Sequence, residues 1–198
     1  MNELPAIKVT RKNGKESLHN NDEPIPFNLS SFWQWSSSDL VGNTLRGMLA
    51  EYIIASAVGS AESTRTEWDA FDIETPDKTK IEVKSSAYIQ SWSQSKLSVI
   101  KFGIQPTKGW DAKTNTYSSQ RARQSDVYVF CVLAHKDKNT IDPLNLEQWV
   151  FYILPTKTLN KVVGNQKSIT LSSLKKLNPI KANYGSINET VKQLMSNS

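Results

Sequence analysis

A chain of 198 residues can bury a real core without disulfide or metal staples, and 22% charged with 9% aromatic residues fit one globular domain rather than a disordered or fibrous one. The longest apolar run, residues 127–134, is strand-sized and far short of the roughly 20 residues of a membrane span; with no basic-then-apolar leader, the expected setting is the cytoplasm. The net charge of +5 is uneven: from Lys157 onward seven lysines face one acid, Glu189, so the rest of the chain sums to −1. Such a basic tail beside a carboxylate-bearing body suits a protein that attracts a polyanion. The single Cys131 lies inside the apolar run and reads as a buried thiol.

In chain order, residues 1–30 are polar and rich in Asn, Lys and Pro, with a short strand expected at 6–11 and a mobile loop after it. Phe32, Trp33 and Trp35 follow, as edge packing, a stacking surface for bases, or interface anchors. Ser37, Ser38 and Asp39 offer N-caps for a helix over 40–58, and Gly59 offers its stop. Val41, Leu45, Met48, Leu49, Tyr52 and Ser56 are expected to form its apolar face. Glu51 lies at the edge of that face, in line with Gly47, whose cost inside a helix calls for close packing. Arg46 points elsewhere and is expected to reach a phosphate. Strands are expected at 64–74, 79–87, 97–104, 127–134 and 148–154, a loop at 111–117, and a short helix closing at 121–124. Short helical elements at 157–162, 171–177 and 187–195 complete a single domain, 1–198, whose basic C-terminal segment is 157–198. Helix, strands, then helices suggest an α/β sandwich with a central mixed sheet.

The most informative stretch is Lys80-Ile81-Glu82-Val83-Lys84. Period 2 puts Glu82 and Lys84 on one face and Ile81 and Val83 on the other. Thr75-Pro76-Asp77-Lys78-Thr79 is turn chemistry, so a hairpin would bring Asp72 beside the Glu-x-Lys pair. Two carboxylates bind a hard divalent cation through oxygen, and a nearby lysine holds or deprotonates a water. That set suffices for metal-dependent phosphodiester hydrolysis. A same-face Glu/Lys pair is also an ordinary surface ion pair. Asp69 competes with Asp72 for the ligand role. An unbulged strand favours Asp72, because Asp69 shares its face with the apolar Phe71 and Ile73; a bulge would overturn that parity.

This pattern resembles the PD-(D/E)xK nuclease superfamily. The helix with Glu51, the strand with Asp72, the Glu82-x-Lys84 strand and the apolar strand at 127–134 match its core, over about residues 39–134. Phe71 stands where the superfamily's proline would precede the aspartate. Within the resemblance, residues 85–92 look like a small bacterial group that assigns no substrate. The resemblance implies a restriction endonuclease-like sandwich. It further implies a DNA endonuclease using Mg²⁺ or Mn²⁺, held by Asp72, Glu82 and the Val83 carbonyl with Glu51 completing the shell, and Lys84 beside the attacking water. Products would carry a 5′-phosphate and a 3′-hydroxyl. A two-fold dimer would match duplex symmetry.

Beyond the resemblance, Lys175, Lys176 and Lys181 are the expected nucleic-acid contacts, with Arg46. Other chemistries lack their motifs: His19 and His135 are isolated in polar loops, and there is no phosphate-binding Gly-rich loop. Two rival readings keep the fold without the chemistry, as a DNA-binding module or as a protein scaffold anchored by Trp33, Trp35 and Trp149. Carboxylate-dependent cation binding separates them from the enzyme.

Overall fold

The run Val127-Tyr128-Val129-Phe130-Cys131-Val132-Leu133 is buried on both faces and forms the middle of the sheet. The computed structural model describes residues 4, 7–65, 69–111 and 114–196. In chain order the elements are β1 (Ser17–Asn20), β2 (Glu23–Asn28), α1 (Leu29–Ser36), α2 (Asn43–Ala57), β3 (Ile73–Glu74), β4 (Lys80–Ala87), β5 (Lys101–Gly103), β6 (Thr107–Asp111), β7 (Thr116–Ala122) and β8 (Val127–Leu133). There follow β9 (Trp149–Pro155), α3 (Thr156–Val163), β10 (Ser168–Thr170), α4 (Leu171–Lys175), β11 (Ile180–Ala182) and α5 (Ile187–Ser196).

The central sheet has five strands in the order β11-β9-β8-β4-β3. β4 and β8 run parallel, and the other pairs are antiparallel. A parallel pair needs a long crossover, and residues 88–126 supply it, carrying β5 and the β6–β7 ribbon. Helices cover both faces. Ala50, Ile53 and Ile54 of α2, with Ile187 and Val191 of α5, pack on Ile81, Val83, Val129 and Phe151. Leu159 of α3, Leu174 of α4 and the β5–β10 pair pack on Tyr128, Phe130, Tyr152 and Leu154. The molecule is thus a mixed α/β sandwich, as the element order suggested.

Several expectations are corrected. Residues 7–11 are irregular, and Ala6 lies outside the described residues. The N-terminal pairing is instead β1 with β2, closed by Asn21 and Asp22 at φ 49° and 67°, the left-handed pair a two-residue hairpin turn requires. The strand expected at 64–74 shrinks to β3, with residues 66–68 outside the described set. Residues 121–124 close no helix; β7 runs through Ala122. The buried face of α2 is Arg46, Ala50, Ile53 and Ile54, whereas Met48 and Tyr52 are 42% and 58% exposed. The apolar pattern misled because an arginine occupies the core side. Gly47 has open space around its Cβ position, so no close packing requires it.

Candidate active site

Strand β4 alternates as its sequence dictates. Ile81 and Val83 turn toward α2, and Glu82 and Lys84 turn to the other face, opposite Tyr128 and Phe130 of β8. The start of β4 is fixed to β8 because Asp126 accepts the Lys80 N–H at 2.8 Å through Oδ2 and donates its own N–H to the Lys80 carbonyl. The turn before β4 closes through Thr75 and Thr79, with Lys78 at φ 65°.

Asp72 precedes β3 and meets β4 through a bulge. Ile73 pairs with Ile81, and the Asp72 N–H also donates to the Ile81 carbonyl. Two residues against one re-aim the side chain. The Asp72 carboxylate then accepts the Val83 N–H at 2.7 Å, taking the place of the next ladder bond. By the pleat, the Val83 carbonyl points to the same edge. Asp72 therefore lies on the edge of β4, between its two faces, and the parity argument that chose it over Asp69 does not apply. Asp69 lines the cleft beside it.

The neighbouring charges are arranged around this edge. Lys84 Nζ holds Glu82 Oε1 at 2.5 Å. On the α2 side, Glu51 is gripped by Arg65 through Nε at 2.5 Å and Nη2 at 3.3 Å. Burial, and next the Glu82 charge, push the Asp72 acid up to about 6; the Val83 N–H and Lys84 oppose them, and Glu51 adds to the rise. Burial, then Glu82, also raises the Tyr128 phenol. A cleft of about 590 Å³ opens beside Asp72, lined by Met48, Glu51, Tyr52, Arg65 and Asp69 among others. Among the described residues no three His, Cys, Asp or Glu side chains are gathered as a metal set.

The remaining sequence candidates fall elsewhere. Arg46 is 4% exposed. Its guanidinium donates to Val41 O at 2.9 Å, Asn43 Oδ1 at 2.8 Å, Ser85 Oγ at 3.3 Å and Gln90 Oε1 at 3.3 Å. It braces α2 against the end of β4 instead of facing a phosphate. Lys175, Lys176 and Lys181 are exposed, but Lys175 and Lys176 close α4 and Lys181 is on β11, at the opposite edge of the sheet from β3. Lys175 lies over the Tyr152 ring at 5.7 Å. Trp149 is buried, its indole bonded to the Pro143 carbonyl, which removes it as an interface anchor. Sequence reasoning missed Arg65, which lies within the strand expected at 64–74 but outside any strand of the structure, and Tyr128, which strand register alone sets opposite Glu82.

No helix among the described residues is long and apolar enough to cross a membrane. No curated protein and no solved structure matches the chain. The family described as bacteriophage T4 endonuclease IV matches residues 2–173, nearly the whole length. The chain therefore belongs to the bacteriophage T4 endonuclease IV family, a nuclease family.

Proposed function

We propose that the chain is a divalent-cation-dependent DNA endonuclease of the PD-(D/E)xK type, with a restriction endonuclease-like fold. The observation that carries this reading is Asp72, folded onto the Val83 N–H between Glu82-x-Lys84 and Glu51. A carboxyl whose acid form is favoured by burial and two like charges sits where positive charge is wanted. Asp72 and Glu82 offer hard oxygen ligands, and the Val83 carbonyl shares the edge of β4 with Asp72, so the donor types fit Mg²⁺ or Mn²⁺. Glu51, once released from Arg65, can extend the set. When bound, such a cation draws charge from a phosphate oxygen and acidifies a water.

The chain's own residues do the rest. The Lys84 ammonium, positioned by Glu82, orients the water and offsets charge on the phosphate. The water oxygen bonds to phosphorus, the bond to the 3′ oxygen breaks, and that oxygen takes a proton, leaving a 5′-phosphate and a 3′-hydroxyl. Arg65 is placed in the cleft to meet a non-bridging oxygen. Lys175, Lys176 and Lys181 would hold DNA at the far edge of the sheet, and a two-fold pair of chains would serve cleavage of both strands.

A cleavage screen over DNA and RNA with Mg²⁺ and Mn²⁺ tests the reading. DNA cleavage that needs the cation and is lost in Lys84→Ala and Asp72→Ala is expected. Cleavage that survives both substitutions would overturn it. So would DNA binding with neither cleavage nor carboxylate-dependent cation binding, which is the behaviour of the DNA-binding module.

A further inference from the structure

The crossover between β4 and β8 carries an element that the site above does not use. Strands β6 and β7 pair only with each other, as a two-stranded ribbon, and every residue of β7 is exposed. Residues 101–123 hold five basic side chains and one acid, a net +4 in a chain whose total is +5.

The register sorts the ribbon's two faces. Lys108 stands opposite Arg121, and Trp110 opposite Tyr117. Cross-strand partners share a face, and although the register is irregular between the two pairs, Lys108 and Trp110 are two apart on β6, which sets the two cations and the two aromatic rings on one side. The rings are 4.8 Å apart between centroids, and Tyr117 is 64% exposed. The other side carries Gly109, Ser118 and Gln120, and Gln124 packs against Gly109. Like charges directly opposite each other destabilise a strand pair. Among the described residues neither Lys108 nor Arg121 has an ion-pair partner, and neither side chain has a hydrogen bond in the structure. Such a pair gains most from an anion between its members.

The ribbon is also firmly rooted. Arg123, buried at its base, donates to Ile104 O at 2.9 Å, Asn160 Oδ1 at 2.7 Å and Gly164 O at 2.8 Å. Ile104 packs in the same cluster as Tyr128, and Tyr128 lies opposite Glu82. The root therefore adjoins the candidate site.

We propose that the Lys108, Trp110, Tyr117 and Arg121 face of this ribbon is a nucleic-acid clamp, which holds substrate flanking the bond to be cut. It rests on the nuclease reading. Lys108 and Arg121 take backbone phosphate between them, and the exposed Tyr117 ring, backed by the half-buried Trp110 at a tilt of 51°, offers an apolar face to sugar or base. Charge complementarity selects the occupant: a polyanion with aromatic bases satisfies both halves of the face, and a neutral or apolar partner satisfies one.

The test compares wild type with Lys108→Ala/Arg121→Ala. Binding of labelled single-stranded and duplex oligonucleotides is measured over a salt series, with Ca²⁺ in place of Mg²⁺. Loss of two phosphate contacts should lower the log–log salt slope by roughly 1.4 on single strands or 1.8 on duplex. KM should rise about tenfold or more while kcat stays within about twofold. Thermal stability should hold or rise, because a like-charge pair has been removed, whereas a structural role would lower it. Lys108→Arg/Arg121→Lys should restore affinity. Wild type that binds and cuts nucleic acid, with an unchanged slope in the double alanine variant, would overturn the clamp alone. Wild type that binds no nucleic acid would overturn the clamp and the nuclease reading together.

Discussion

Replacing Asp72 with Asn should stabilise the protein when no divalent cation is present. The folded chain pushes the Asp72 acid up from 3.8 to about 6. A carboxyl raised in the folded state binds its proton more tightly there than in the unfolded chain. Wild type should therefore lose stability as pH rises from about 4 to about 6, and carry the full penalty above that window. At roughly 1.4 kcal/mol per pH unit the ceiling is about 3 kcal/mol. Partial solvent access and the weaker neutral hydrogen bond to the Val83 N–H bring the expected gain to about 1–2 kcal/mol. For a chain of this size that is a Tm increase of roughly 2–8 °C. The assay is thermal unfolding of both proteins in chelator from pH 4 to 8, then in Mg²⁺. In chelator the variant should be the more stable above pH 6, and its curve should lack the loss between 4 and 6. In Mg²⁺ the order should reverse, since a ligand at a hundred times its Kd adds about 2.7 kcal/mol to wild type alone. A variant that is less stable at pH 8 in chelator, or that keeps the same pH slope, would refute the electrostatic account of Asp72.

Three other substitutions follow from the geometry. Glu51→Gln breaks a partly exposed ion pair with Arg65, so unfolding should move by no more than about 1 kcal/mol while Mg²⁺ affinity by calorimetry falls; a large loss of stability with unchanged cation binding would make Glu51 structural. Arg46→Ala leaves Gln90 and Asn43 without a donor beside a new void, and denaturant unfolding should show a loss of about 2–4 kcal/mol. Gly47→Ala fills open space within α2 and should raise stability by up to about 1 kcal/mol with cleavage unchanged, as unfolding and turnover together would show.

Much of the framework was legible because it follows from strong alternation or from uninterrupted apolar runs. β4, β8 and β9 lie where such patterns put them, and α2 stops before Gly59 as expected, but it starts at Asn43 with Gly42 at its N-cap and no side-chain cap, not on Ser37, Ser38 or Asp39. Its buried face was not legible. Arg46 turns inward because Ser85 and Gln90 supply acceptors from elsewhere in the fold, beside the local Asn43, and no local pattern records the distant two. The convergence of Asp72 on β4 was expected, but by a different route: strand parity pointed to it, whereas a bulge delivers it to the edge. The β6–β7 ribbon was not legible: the sequence suggests only a loop at 111–117 and a helix end at 121–124, because Gly109, the Ser and Gln residues and an irregular register blur the alternation of its strands. Lys108 and Arg121 are brought opposite each other only by that pairing.

The chain's one thiol has a practical consequence. Cys131 is fully enclosed in β8, and burial raises its pKa, so thiol-reactive dyes and spin labels should pass it by. The unmodified chain is thus already a blank background for labelling. Ser119 is exposed on β7, two residues from both Tyr117 and Arg121, and Ser119→Cys would introduce a single addressable handle there. A probe at that position could report when a nucleic-acid strand approaches the ribbon and when it leaves, without first removing a native cysteine from the core.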